Sequence, residues 1–207
     1  MAMSIKCAAE PLRVFMTGDS HVTSKLYPNR VKDILLEEYP EIEFSYWGKV
    51  GQSFKNYNRT PEMMNRIVNA DPDVLIVHMG TNDSYFTGFD PVDFTKDVTK
   101  FYNEVKRDLP DCEIIFVTPF FNKLRNRKTG KWEVNEMTRV CADALLEFSE
   151  THPDTYVVDN NAEHGIVFLD GGASLIRSDN VHLTAEGYEL LGEQVGLSLV
   201  EIFKDIY

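Results

Sequence analysis

Val74-Leu75-Ile76-Val77-His78-Met79 is the stretch whose reading decides the fold. It is apolar without interruption except at His78, and it shows no alternation of wet and dry positions. A strand of this kind is buried on both faces, as strands of a parallel sheet are. A sheet covered on both faces needs helices in its connections, and the flanking sequence supplies them.

On the N-terminal side, Leu12 to Thr17 reads as a strand running into Gly18-Asp19-Ser20. Lys25 to Tyr39 has helical apolar spacing and stops at Pro40, and Ile42 to Trp47 alternates as a strand. Pro61 to Ala70 suits a helix with Thr60 as its cap. On the C-terminal side, Pro91 to Leu109 reads as a helix and Glu113 to Thr118 as a strand. Glu133 to Thr151 reads as a long helix and Tyr156 to Asp159 as a short strand. Thr184 to Phe203 reads as a last helix capped by Thr184, with Glu186 in its first turn. The expectation is an α/β, three-layer α/β/α arrangement around a five-stranded parallel sheet, with residues 1–207 as a single domain.

Working groups in such sheets lie on loops beyond the carboxyl ends of the strands. Ser20, Gly51 and Asn82 each follow a predicted strand and should share one edge. The loop with Asp179 and His182 must reach that edge just before the final helix. Together these residues suit acyl transfer, which needs an oxygen nucleophile, a base and donors for an oxyanion. Ser20 can supply the first. His182 can supply the second, since Asp179, three residues earlier, can reach its Nδ1–H and fix the tautomer. The N–H groups of Ser20 and Gly51 and the Asn82 amide are the natural oxyanion donors.

Composition narrows the alternatives. With 33 acidic and 21 basic residues the formal charge is -12, a field that repels phosphate backbones, so no nucleic-acid partner is expected. Cys7, Cys112 and Cys141 have no metal-knuckle spacing and read as small core thiols or a stray exposed one. His78, His152 and His164 are scattered; no metal and no cofactor is expected, and His78 should be buried and hydrogen-bonded near the site. No run of 18 apolar residues and no leader-like start is present, so the reading is a soluble, cytoplasmic protein without a membrane span.

The blocks Phe15-Met16-Thr17-Gly18-Asp19-Ser20, Gly48-Lys49-Val50-Gly51-Gln52-Ser53, Gly80-Thr81-Asn82-Asp83 and Asp179-Asn180-Val181-His182-Leu183-Thr184-Ala185-Glu186-Gly187-Tyr188 occur in that order. In this the chain resembles the SGNH hydrolases, also called the GDSL esterase/lipase family, over essentially its whole length. The resemblance implies a flavodoxin-like fold, Ser20 as nucleophile, Asp179 and His182 as its partners, and Ser20, Gly51 and Asn82 at the oxyanion hole. Gly48 competes with Gly51 for the second block. His21 departs from the family, which usually has Leu or another apolar residue there. It can be a surface residue, a core replacement or a second imidazole near the site, with His182 favoured as base because Asp179 stands at fixed spacing.

The segment Phe120 to Trp132 holds Lys123, Arg125, Arg127, Lys128 and Lys131 and no acidic residue, so it either rims the pocket or is a solvated loop. Tyr46, Trp47, Phe54, Tyr57, Tyr85, Phe86 and Trp132 are candidates for a sugar-stacking surface, several of them for the core. The leading expectation is removal of short acyl groups, acetyl first, from a small-molecule or oligosaccharide ester. The alternatives are a lysophospholipase or thioesterase acting on longer chains, and a non-catalytic carbohydrate-binding relative.

Overall fold

The computed structural model describes residues 11–120, 122–125, 129–161 and 175–206, with only the backbone of 123–125 and 132. Five parallel strands form the main sheet: β1 (Arg13–Gly18), β2 (Glu43–Gly48), β3 (Val74–His78), β4 (Glu113–Val117) and, last in the chain, Thr155–Val158. Two short strands, β5 (Lys123–Arg125) and β6 (Trp132–Val134), pair antiparallel beside the sheet, so Thr155–Val158 is β7. The sheet order is β2-β1-β3-β4-β7. The chain therefore winds outward from β1 in both directions, and the switch point lies between β1 and β3.

Every residue of β3 is buried, as the apolar run Val74 to Val77 requires, and His78 is buried with it. Alternate side chains feed two cores. Val14, Met16, Val74, Ile76, Ile115 and Val117 pack under α1 (Leu26–Glu38) and α5 (Ala185–Ile206). Phe15, Leu75, Val77, Ile114 and Phe116 pack against α2 (Glu62–Ala70), α3 (Pro91–Asp108) and α4 (Met137–Glu150). These are the three layers the sequence implies.

Two local readings need correction. The helix expected from Glu133 begins only at Met137, because Trp132–Val134 is drawn into the β5–β6 hairpin. Asn135 then ends the strand: its N–H donates to the Asn122 carbonyl oxygen, and its Oδ1 accepts the N–H of Met137. Thr60 does not cap α2; its hydroxyl accepts the Lys49 ammonium instead, at 3.3 Å. Thr184 caps as expected, accepting the N–H of Gly187 at 3.2 Å.

Two glycines shape the working edge. A methyl group on Gly18 would collide with the His78 carbonyl oxygen and lie 2.8 Å from Val22 Cγ2. One on Gly48 would lie 2.8 Å from the Thr23 nitrogen and 2.9 Å from the Asp19 oxygen. Gly51 differs: space around it is open, and only its φ of +76° favours glycine. Gly18→Ala should therefore cost about 3 kcal/mol, the upper end for overpacking against backbone, and Gly51→Ala about 1–2 kcal/mol, the cost of a left-handed residue. Urea unfolding of the two variants checks the order, and equal losses would refute the packing argument.

Candidate active site

The turn that carries the candidate nucleophile Ser20 begins where β1 meets β3. The N–H of Asp19 donates to the His78 carbonyl oxygen at 3.2 Å, and the N–H of Lys49 donates to that of Gly18 at 3.0 Å. Asp19 folds back so that its Oδ1 accepts the N–H of His21 at 2.9 Å, which tightens the turn and leaves Ser20 at its outer edge. A single 3₁₀ turn, Val22–Ser24, follows before α1 starts. Ser20 is half-buried while its neighbours on both sides are fully buried.

The opposite loop is built by one carboxylate. Asp179 Oδ1 accepts the N–H groups of Val181 at 2.9 Å and His182 at 2.8 Å, and Oδ2 meets His182 Nδ1 at 3.0 Å. Asn180 takes a left-handed φ of 60°, a conformation that asparagine tolerates better than most residues. An antiparallel bridge between Ile176 and Leu183 pins the loop, with the Arg177 N–H donating to the His182 carbonyl oxygen at 2.8 Å. His182 Nε2 then lies 2.9 Å from Ser20 Oγ. Burial raises the Asp179 carboxyl pKa, but the N–H groups of His182 and Val181 and the His182 ring outweigh it and hold the pKa below the usual carboxylate range. An ionised Asp179 suits support of an imidazolium.

Asn82 arrives from the loop after β3. Its Nδ2 donates to the Gln52 carbonyl oxygen at 2.9 Å, and Asp19 Oδ2 lies 3.5 Å away. Asp83, unassigned in the sequence reading, reaches back about thirty residues to accept the N–H groups of Phe54 and Lys55, each at 3.1 Å. It thereby ties the second block to the third. Gly51 occupies an exposed left-handed turn within the second block, and its carbonyl oxygen accepts Asn56 Nδ2 at 3.1 Å. Gly48 is committed to the packed corner of the sheet. The structure thus joins Ser20, Asp179 and His182 directly, and brings Gly51 toward Asn82 only through Gln52.

His21 is neither a surface residue nor a rival base. It is fully buried, 4.7 Å from the Phe120 ring, 5.7 Å from His78 and 5.6 Å from His182, measured between ring centroids. Burial first, and the neighbouring His78 and His182 next, hold its pKa well below that of free histidine. His78 is buried as expected, its Nδ1 3.0 Å from Tyr27 Oη, and burial lowers its pKa to about 3. Of the aromatic candidates, Phe54 and Tyr57 belong to the core. Tyr85 donates to Asn122 Oδ1 at 2.9 Å, and Lys55 lies over Phe86. Arg127, Lys128, Cys7, His164 and the side chains of Lys123, Arg125 and Trp132 lie outside the described residues. Cys112 and Cys141 are buried free thiols. Among the described residues no three His, Cys, Asp or Glu side chains group to hold a metal, and no helix is long and apolar enough to cross a membrane.

Fold and site define an α/β/α protein with a Ser–His–Asp chain at the switch point of its sheet. The sequence pattern of the GDSL-like lipase/acylhydrolase family matches residues 16–190, and the chain belongs to that family. It is by class a carboxylic ester hydrolase. No sequence among curated proteins matches it. Several solved structures share the fold. A lipase/acylhydrolase from Enterococcus faecalis is 16% identical, with TM-score 0.72 over 91% of this chain and 95% of its own. An acetylxylan esterase from Geobacillus stearothermophilus is 16% identical, with TM-score 0.69 over 91% and 94%. A peptidoglycan O-acetylesterase is 12% identical, with TM-score 0.74 over 95% and 92%.

Burial raises the pKa of Asp19 to about 7, against the pull of the His21 N–H, and that of Asp83 to about 6, against the Lys55 and Phe54 N–H groups. A raised carboxyl pKa means that the folded state binds more protons than the unfolded one. These two groups therefore lower stability as pH rises from about 4 to 7. His21 and His78, with lowered pKa values, act oppositely and raise stability toward pH 6.5. In Asp19→Asn one falling contribution is gone. Its unfolding free energy relative to wild type should increase between pH 4.5 and 7 in denaturant titrations; a difference independent of pH would refute burial of a titrating Asp19.

Proposed function

We propose that the chain, as one SGNH domain, hydrolyses short acyl esters, acetyl first, of a carbohydrate through Ser20, His182 and Asp179. The observation that carries this reading is the continuous path from Ser20 Oγ to His182 Nε2 at 2.9 Å and from His182 Nδ1 to Asp179 Oδ2 at 3.0 Å. His182 takes the Ser20 proton as Oγ attacks the ester carbonyl carbon. The oxyanion meets the N–H groups of Ser20 and Gly51 and one hydrogen of the Asn82 amide. Gln52 holds the other hydrogen of that amide and so aims the donor before the substrate arrives. Protonated His182 then gives its proton to the leaving alcohol, and the acyl group stays on Ser20. Water, deprotonated by the same imidazole, releases the acid and restores the serine.

The preference for a small acyl group draws on the acetylesterases that share the fold. An exposed site fits a bulky alcohol side: the His182 and Asp179 side chains remain 33% and 46% exposed. A polysaccharide carrying an acetyl group fits such an exposed arrangement of the described residues.

Ser20→Ala should lower kcat by about 10⁴-fold or more, and Asn82→Ala by about 10²-fold, the usual loss for one oxyanion donor. Activity should fall on acidification, since a protonated imidazole accepts no proton. The assay is p-nitrophenyl acetate against p-nitrophenyl octanoate, followed by acetylated xylo-oligosaccharides. Faster octanoate turnover would transfer the reading to longer acyl chains, and equal turnover by wild type and Ser20→Ala would end the enzymatic reading.

A further inference from the structure

His21 follows the candidate nucleophile, and Tyr188 stands in the first turn of α5, shortly after the candidate base. Tyr188 Oη lies 3.2 Å from His21 Nδ1. Thr184, where the helix starts, also closes the bridged loop that carries His182: its N–H donates to the Leu175 carbonyl oxygen at 2.8 Å. Both His21 and Tyr188 are buried.

We infer that His21 and Tyr188 are positioning residues that set the spacing of Ser20 and His182 through this second path. The inference rests on the proposed roles of Ser20 and His182. Two connections now link the loops in parallel: Ser20 to His182 directly, and His21 through Tyr188 to Thr184 at the end of the His182 loop. The first forms and breaks during turnover as the proton moves. The second does not react, so it can keep the two loops in register while the first is open. Tyr188 is suited to this by its own anchorage, four residues into the capped start of α5, where its N–H donates to the Thr184 carbonyl oxygen at 3.0 Å. The arrangement also accounts for a polar residue where it is unfavourable for stability. Among the described residues the buried His21 Nε2 finds no partner, a state that costs free energy and that leucine would avoid. A residue kept at such a cost is expected where its other atom does something an apolar side chain cannot.

The test compares wild type, Tyr188→Phe, His21→Leu, His21→Asn and the Tyr188→Phe/His21→Leu double variant. Readouts are kcat and KM on p-nitrophenyl acetate, Ser20 labelling by a fluorophosphonate, and melting temperature. Tyr188→Phe and His21→Leu should each lower kcat and labelling about tenfold at unchanged KM, as small misplacements of reacting groups do. His21→Leu should melt no lower than wild type. The double variant should be no slower than the slower single one, because both changes cut the same path. His21→Asn, whose Oδ1 can accept the Tyr188 hydrogen near the position of Nδ1, should recover most of the rate. Tyr188→Phe within twofold of wild type, multiplied losses in the double variant, or His21→Asn as slow as His21→Leu would each overturn the inference. If His21→Leu does not fold, Tyr188→Phe decides alone. A Ser20→Ala control separates the two readings: inactive Ser20→Ala beside unimpaired Tyr188→Phe removes the strut only, whereas active Ser20→Ala removes both.

Discussion

The backbone contact between Gly18 and His78, at the carboxyl ends of β1 and β3, sets the geometry of everything above it. The two strands approach so closely there that no side chain fits at position 18, and Asp19 N–H closes the corner onto the His78 carbonyl oxygen. Gly48 brings β2 against the same corner from the other side. With three backbones converging, Ser20 is the first residue that can turn outward. Its position is thus a consequence of backbone packing more than of its own contacts. That gives Ser20, the proposed nucleophile, a fixed place without drawing on its hydroxyl.

Beneath this turn the protein keeps an unusual amount of polarity out of water. Asp19, His21, His78 and Asp83 are all buried, and burial is the largest cause that raises the acids' pKa values and lowers those of the bases. Most of this polarity is satisfied by backbone N–H groups or by tyrosine hydroxyls. Tyr27 serves His78 and Tyr188 serves His21, so each imidazole stays neutral and oriented. The proposed reacting groups Ser20, Asp179 and His182 are more exposed. The support is dry and the candidate site accessible, a division that suits a preorganised site.

The loop carrying Asp179 and His182 solves a different problem, since no sheet strand leads into it. Asp179 acts there as a local folding element before it acts on an imidazole: one carboxylate oxygen accepts two backbone N–H groups, the other meets His182. Short spacing in the chain is therefore enough to build this half of the site. The Asp83 contacts to Phe54 and Lys55 do the same for the second block, but over a long loop.

Much of this was readable in the chain. The apolar run of β3, the alternation of β2 and the caps of α5 are properties of neighbouring residues, and they determine three layers and a parallel sheet. The same holds for Asp179 and His182, whose spacing alone permits their bond. The hairpin of β5 and β6 was not legible, because Trp132–Val134 has no local signal strong enough to outweigh a helical reading; its partner strand decides. Nor could Asp83 or Tyr188 be assigned, since their partners lie far away in the sequence or on another element. His21 is the sharpest case. Its identity was plain from the sequence, yet whether it faced water, core or substrate depended on how α5 packs beside β1. Local pattern determines which elements form and what each carries; only tertiary packing decides which buried polar atoms find one another, because that depends on distances no spacing in the chain encodes.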